Sequence, residues 1–427
     1  MRWIAAVLTL SAGGSLAVRA DSHEISNDEK KLVTIVESQR DETIALIEKV
    51  VNLRSATQNL AGVREVGKVF QAEFEKIGFK TRWEEMPAAM KRAGHFIALR
   101  EGTRGKRLLL IGHLDTVLEG KAFKRVGNKA YGTGTVDMKA GDVIVLQALK
   151  ALARVGALDD RRIAVIFTGD EEDAGSPIEV SRGSMRQLAK RSDIALAFEA
   201  VIDDTAIVAR RGVSSWSLKV KGETGHSSGI FRHELGAGAI FETARILEAF
   251  RQELSDEKDL TFNASLVLGG TEVAHEKGAF EGTANGKTNV VPPTAVVQGD
   301  LRFLSEAQRE AAEDRMRAIV SEHLPRTSAT IEFIDEYPAM SPSTGNYELL
   351  KILDKTSRDL GFGPVKPFDP GKRGAGDISF VAPLIDSLDG LGADGEGSHA
   401  PVESINLDAL PRQVKKAAIL IHRLSRD

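Results

Sequence analysis

The chain has 427 residues, 42% hydrophobic and 28% charged, which excludes a disordered polymer and allows roughly two to four domains. Lysine and arginine (57) nearly balance aspartate and glutamate (61), which argues against a sequence-independent nucleic-acid binder. Cysteine is absent, so there is no disulfide, no thiol nucleophile and no thiolate metal site, and a transition-metal site would need histidine and carboxylates.

In chain order, Met1 and Arg2 form a short basic start and residues 3–18 carry no charge. Val18 and Ala20 place small residues at the −3 and −1 positions of a cleavage site. Residues 1–20 therefore read as a secretory signal peptide, with a secreted or periplasmic product. A membrane anchor is the alternative reading, but Thr9, Ser11, Gly13, Gly14 and Ser15 interrupt the apolar run it needs. No later stretch of the sequence is long and apolar enough to span a bilayer.

Apolar residues then recur at helical spacing over 27–54 and 63–77. Short strand-like runs follow at 79–83, 96–99 and 108–111, a helix at 138–154, and buried-strand runs at 162–168 and 194–198. This alternation predicts an α/β fold: a mixed, mostly parallel sheet flanked by helices. Near Arg210 the texture changes. Strands are expected at 213–220, 264–268, 288–291, 295–303 and 330–334, with helices at 235–254 and 305–323. That order suggests an inserted α+β domain of ferredoxin-like plan over 210–336. It splits the α/β unit into 24–209 and 337–427, the latter with helices at 348–360 and 407–424. Arg210 and Arg211 read as a solvated pair near the hinge.

No Gly-x-Ser-x-Gly elbow and no phosphate-binding Walker loop occurs, and His233-Glu234 and His275-Glu276 lack the second histidine of a zincin helix. What remains is a set of acids and histidines in the loops that follow predicted strands, the edge where open α/β sheets bind ligands. They are His113, Asp115, Asp137, Glu171, Glu172, Glu199 and His399. Singly, each has a bland reading: a loop histidine, a helix N-cap, a solvated pair. Together, two histidines and three carboxylates are the ligand count for two divalent ions sharing one carboxylate, with two acids left over. Burying so many acids without cations would be prohibitive.

Five motifs carry a resemblance: Gly112-His113-Leu114-Asp115, Gly132 through Gly141 around Asp137, Asp170-Glu171-Glu172, Phe198-Glu199, and Gly397-Ser398-His399. In them the chain resembles the co-catalytic di-zinc metallopeptidases that include glutamate carboxypeptidases and aminoacylases, most closely the glutamate carboxypeptidase branch. The resemblance implies two Zn²⁺ per subunit, with Co²⁺ or Mn²⁺ possible. Asp137 would bridge them, His113 and Glu199 would complete one site, and Glu172 and His399 the other. Asp115 would orient His113 through its second ring nitrogen, and Glu171 would serve as general base.

The resemblance also implies that His226 stabilises the oxyanion, reaching across a homodimer formed through the inserted lid; the bland reading is a surface histidine. Asn289, Arg302, Arg373 and Gly374 become candidate substrate holders, with a strand-edge salt bridge as the alternative for Arg302. The expected activity is hydrolysis of the terminal peptide or amide bond of a small substrate, releasing a C-terminal acidic residue. An N-acyl amino acid amidohydrolase or dipeptidase is the rival on the same site, and a non-catalytic metal- or solute-binding protein the rival from another class. Neither nucleic acid nor, after cleavage, a membrane is an expected partner.

Overall fold

The computed structural model describes residues 25–276 and 281–426. The expected signal peptide lies outside the described residues, among which no helix is long and apolar enough to cross a membrane.

Helix α1 (Asn27–Ser38) begins at a reciprocal cap, in which the Ser26 hydroxyl accepts from the Glu29 amide and the Glu29 carboxylate from the Ser26 amide. The helical periodicity over 27–54 is divided: buried Gln39, with ψ at 0°, ends α1 and starts α2 (Arg40–Val51). Next come α3 (Leu60–Lys76), β1 (Lys80–Glu84), β2 (His95–Arg100), β3 (Arg104–His113), α4 (Ala140–Arg154), β4 (Arg161–Thr168), α5 (Gly183–Ala189) and β5 (Ile194–Ala197). The second texture is β6 (Gly212–Gly222), α6 (Gly238–Leu254), β7 (Thr261–Gly270), β8 (Thr294–Phe303), α7 (Glu306–Ser321) and β9 (Thr327–Tyr337). The chain then returns through α8 (Thr344–Asp359) and β10 (Asp386–Leu388) to α9 (Leu410–Arg426).

The main sheet has the order β1-β2-β4-β3-β5-β10. Its pairs are parallel from β4 to β10, while β2 runs antiparallel to both neighbours. Leu108, Leu109, Leu110 and Ile111 are buried to 1% exposure or less, as a strand covered on both faces requires. One face packs under α3, α4 and α9 around Phe70, Phe74, Phe96 and Phe167, whose rings meet at 5.1–6.0 Å. The other packs Leu109, Ile111, Ile166 and Ala195 against Met185 and Phe380.

The second sheet is antiparallel throughout, in the order β7-β8-β6-β9. With α6 and α7 it is the ferredoxin-like arrangement anticipated from β-α-β-β-α-β, and it has its own core around Trp216, Phe250, Leu301 and Met316. The strand expected at 288–291 does not form. Only Val290 makes a single bridge, to His226, because Pro292 and Pro293 lack the amides a ladder needs. A short hairpin, Glu272–Ala274 with Thr283–Asn285, appears instead. The two passages between the sheets are tied together, since Arg210 and Met340 exchange backbone hydrogen bonds of 2.9 and 3.0 Å.

Candidate metal centre

Parallel β3, β4 and β5 end at one edge of the sheet, and each hands a polar residue to that edge. His113 is the last residue of β3, Glu171 and Glu172 follow β4, and Glu199 follows β5. Asp137 lies between Gly134, whose φ of 82° suits glycine, and α4. His399 also adopts a left-handed φ of 63°, a strain of about 1–3 kcal/mol for a residue with a Cβ.

The two oxygens of Asp137 face different histidines. Oδ1 lies 3.1 Å from His113 Nε2 and Oδ2 lies 3.3 Å from His399 Nε2. His399 Nε2 is also 3.0 Å from Glu172 Oε2, and His113 Nε2 is 3.7 Å from Glu199 Oε1. Ligand atoms of His113, Asp137 and Glu172 all lie within 4.8 Å of one another. This set of imidazole nitrogens and carboxylate oxygens, in a chain without cysteine, fits zinc, cobalt or manganese. A carboxylate flanked on both sides by a histidine and a second acid is suited to sharing between two cations.

Electrostatics report the same crowding. Burial pushes the Glu199 carboxyl up to about 7, with Asp137 adding to the effect. Burial also holds Glu171 well above the usual carboxylate range; His113 opposes, while Glu199, Asp377 and Glu172 reinforce. His399 is pushed up to about 10 by its hydrogen bonds to Asp137 and Glu172. Burial disfavours a charged His113, yet Asp115 and Asp137 outweigh it and raise that imidazole too.

The Asp115 carboxylate lies beside His113 and has a second task as well. The nearer acceptor for His113 Nδ1 is the Asp115 backbone carbonyl, at 3.0 Å, with Oδ1 at 3.5 Å. A proton on Nδ1 leaves Nε2 free as a ligand. The carboxylate also accepts from the Thr57 hydroxyl at 2.6 Å and from the amides of both Glu171 and Glu172 at 3.1 Å. It fixes the turn that presents those two glutamates.

Two supports have no local signal in the sequence. Glu403 accepts from the amides of Gly134, Val136 and Asp137 at 2.6–2.9 Å, holding the loop that carries Asp137. Fully buried Arg182 bonds Asp170 at 2.6 Å and Asp377 at 2.7 Å, joining the glutamate turn to the loop at 374–377. Arg210, expected to be solvated, is instead 3% exposed, is paired with Asp389 at 2.6 Å, and donates to the carbonyls of Gly374 and Ala375. A desolvated guanidinium needs such partners, and Asp389 supplies the charge. Arg211 reaches the Gly371 carbonyl at 3.1 Å.

Of the remaining candidates, Arg373 comes to the site, with Nη2 3.5 Å from Glu199 Oε2. Gly374 faces open space on its Cα. Arg302 bonds Asp300 on its own strand at 2.9 Å, the salt-bridge alternative. Exposed His226 bonds Ser228, and exposed Asn289 offers its carbonyl to the Ser227 amide at 2.9 Å. These last three are held by neighbours on the second sheet and its loops.

Asp142, in the first turn of α4, is fully buried, with both carboxylate oxygens unpartnered. Burial raises its pKa well above the usual carboxylate range. The folded state therefore binds that proton more tightly than the unfolded chain, and stability is lost as pH rises above the unfolded value. Asp142→Asn is expected to raise the melting temperature at pH 8 by about 2–4 °C, with a smaller gain at pH 5. Calorimetric melting at both pH values checks it; a loss of stability at pH 8 contradicts it.

Residues 109–423 match the sequence pattern of Peptidase family M20/M25/M40. The chain is similar to Carboxypeptidase G2 from Pseudomonas sp. (strain RS-16), at 26% identity over 435 residues, covering 98% of this chain and 96% of that protein. It is 24% identical over 391 residues to a succinyl-diaminopimelate desuccinylase from Dechloromonas aromatica (strain RCB), covering 87% and 96%. Its fold superposes with a TM-score of 0.63 on a dinuclear metal-binding peptidase of the M20 family from Bacillus subtilis, at 13% identity, covering 91% and 99%. With a family match across most of its length and hydrolases as its relatives, the chain belongs to Peptidase family M20/M25/M40 and is a hydrolase of peptide or amide bonds.

Proposed function

We propose that this chain is an exported di-zinc exopeptidase that cleaves the terminal amide bond of a small peptide or N-acyl amino acid, as a carboxypeptidase releasing a C-terminal glutamate or aspartate. The observation that carries it is Asp137, with one oxygen on His113 and the other on His399. The end-to-end likeness to Carboxypeptidase G2 favours the carboxypeptidase reading. Likeness to a desuccinylase supports amide cleavage in an N-acyl amino acid as the second reading.

On this reading Asp137 is shared, His113 and Glu199 complete one cation site, and Glu172 and His399 complete the other. Zinc held there would polarise the scissile carbonyl and acidify water. Glu171 takes a proton from the attacking water and delivers it to the leaving amine. Its pKa, raised by burial, suits a group that must both accept and return a proton. Asp115 holds Glu171 and Glu172 in register, and Arg373, a fork-shaped cation beside Glu199, receives the substrate carboxylate with Gly374. The split unit, 24–209 and 337–427, closes against the 210–336 lid, bringing Asn289 and Arg302 to the substrate. A homodimer through the lid would bring His226 to the partner's oxyanion. Its support is the exposed apolar patch of Phe231, Ile240 and Phe241, with the two rings 5.3 Å apart.

The test is a panel of N-acyl dipeptides ending in glutamate, aspartate or leucine, beside simple N-acyl amino acids, on zinc-loaded protein. The expected result is preferred release of the acidic residue, abolished by chelator and restored by zinc. Turnover undiminished in excess chelator would overturn it.

Metal uptake should also be proton-linked. Both site histidines are raised above their ordinary pKa; His399, pushed up to about 10, carries a proton at pH 7 in metal-free protein, and ligation requires it neutral. Zinc loading at pH 7 is expected to release at least about one proton per subunit. Affinity should rise as pH climbs toward about 10, where His399 titrates. Calorimetry in buffers of different ionisation enthalpy measures this, and an affinity flat across neutral pH contradicts it.

A further inference from the structure

At the opposite edge of the main sheet a cavity of about 290 Å³ opens where β2 ends and β3 and β4 begin. Leu99 pairs with Ala164, and Ala164 with Leu109, across the three strands. Strand alternation then places Leu99, Arg107, Arg162 and Ala164 on one face, under α5. Leu188 on α5 and Arg191 just beyond it close that side. The floor is thus apolar (Leu99, Ala164, Leu188), with arginines at its rim. Arg100, on the other face, donates to the carbonyls of Leu158 and Ile77.

The rim arginines differ in what they hold. Arg107 is occupied by Asp193 through a bidentate pair. Arg162 and Arg191 make no side-chain hydrogen bond or close ion pair among the described residues; Asp193 acts on Arg162 only through space, and Arg162 Nε is buried without a hydrogen bond. The single acid in the lining, Glu101, is exposed. A buried N–H left unmade is costly, and a planar guanidinium beside an apolar floor suits a ligand with an oxyanion at one end and an apolar body at the other. Arg107 and His113 are six residues apart on β3, about 20 Å of extended chain, so such a ligand would lie well away from the metal centre.

We propose that this cavity binds a small amphipathic oxyanion, a phosphate or carboxylate carried on an aromatic or aliphatic body. Isothermal titration of zinc-loaded protein with phenyl phosphate tests it, against inorganic phosphate and benzyl alcohol, in wild type and in Arg162→Gln/Arg191→Gln. Both arginines are at least partly exposed, so the double variant should keep the wild-type melting temperature. Leu188→Glu, which puts a carboxylate into the floor from a partly exposed helix position, is a second route to the same loss. The expected result is saturable binding of phenyl phosphate, weaker binding of phosphate and none of the alcohol. Phenyl phosphate binding should weaken about tenfold or more in each variant. No binding of phenyl phosphate to wild type, equal affinity for inorganic phosphate, or unchanged affinity in the double variant would each overturn it.

Discussion

Replacing Glu171 by glutamine is expected to lower kcat by about 10²–10⁴-fold, the range for loss of a positioned general base, while zinc content stays at the wild-type level. The main-chain contacts survive the change. The Glu171 amide still donates to Asp115 and its carbonyl still accepts from Tyr337 at 3.1 Å. Glutamine fills the same space but cannot take up a proton. Because burial already disfavours a charge at this position, the melting temperature should hold or rise. Elemental analysis beside steady-state kinetics separates the outcomes. Full turnover in the variant removes Glu171 from the chemistry, and loss of zinc would show it to be a ligand instead.

Replacing Arg182 by leucine is expected to cost about 3–5 kcal/mol, because it strands two buried carboxylates. Asp170 would keep the Ser181 hydroxyl at 2.6 Å and the Gly175 amide at 2.9 Å, and Asp377 the Thr168 hydroxyl at 2.6 Å. Neither would keep its neutralising charge. At present burial raises the Asp170 carboxyl, and Arg182, His95 and these hydrogen bonds bring it below its ordinary value. Asp170 therefore stabilises the fold at neutral pH and loses that contribution as pH falls through its depressed folded-state value. A triple variant, Arg182→Leu with Asp170→Asn and Asp377→Asn, should recover most of the loss. Denaturant melts of the single and triple variants measure the coupling; an unaffected single variant would mean the network is not what holds the two loops.

The elements legible in the sequence were those whose burial is continuous or strictly alternating. The run Leu108 to Ile111 is apolar because both faces are covered, and β6 alternates because one face meets α6 and α7. From these follow the position of the metal-centre edge and the order of the second sheet. The break at Gln39 was not legible, since neither proline nor glycine marks it. Nor was the fate of Arg210, whose burial depends on an acid 179 residues away. The Arg182–Asp377 bond and the Glu403 bonds likewise join residues separated by 195 and 266–269 positions, a distance over which spacing says nothing. Asp115 was singled out as the neighbour of His113, but its bonds to the Glu171 and Glu172 amides were not legible, because they span 56 and 57 positions.

Since one carboxylate grips the backbone of Glu171 and Glu172 together, any shift of that grip displaces both side chains at once. If Glu172 holds a cation and Glu171 moves a proton, as proposed, evolution or engineering acting there has a single handle for both properties and cannot retune one while sparing the other. Variation that separates them would have to come from side-chain surroundings, such as Tyr337 and Asp377 on one side and His399 on the other.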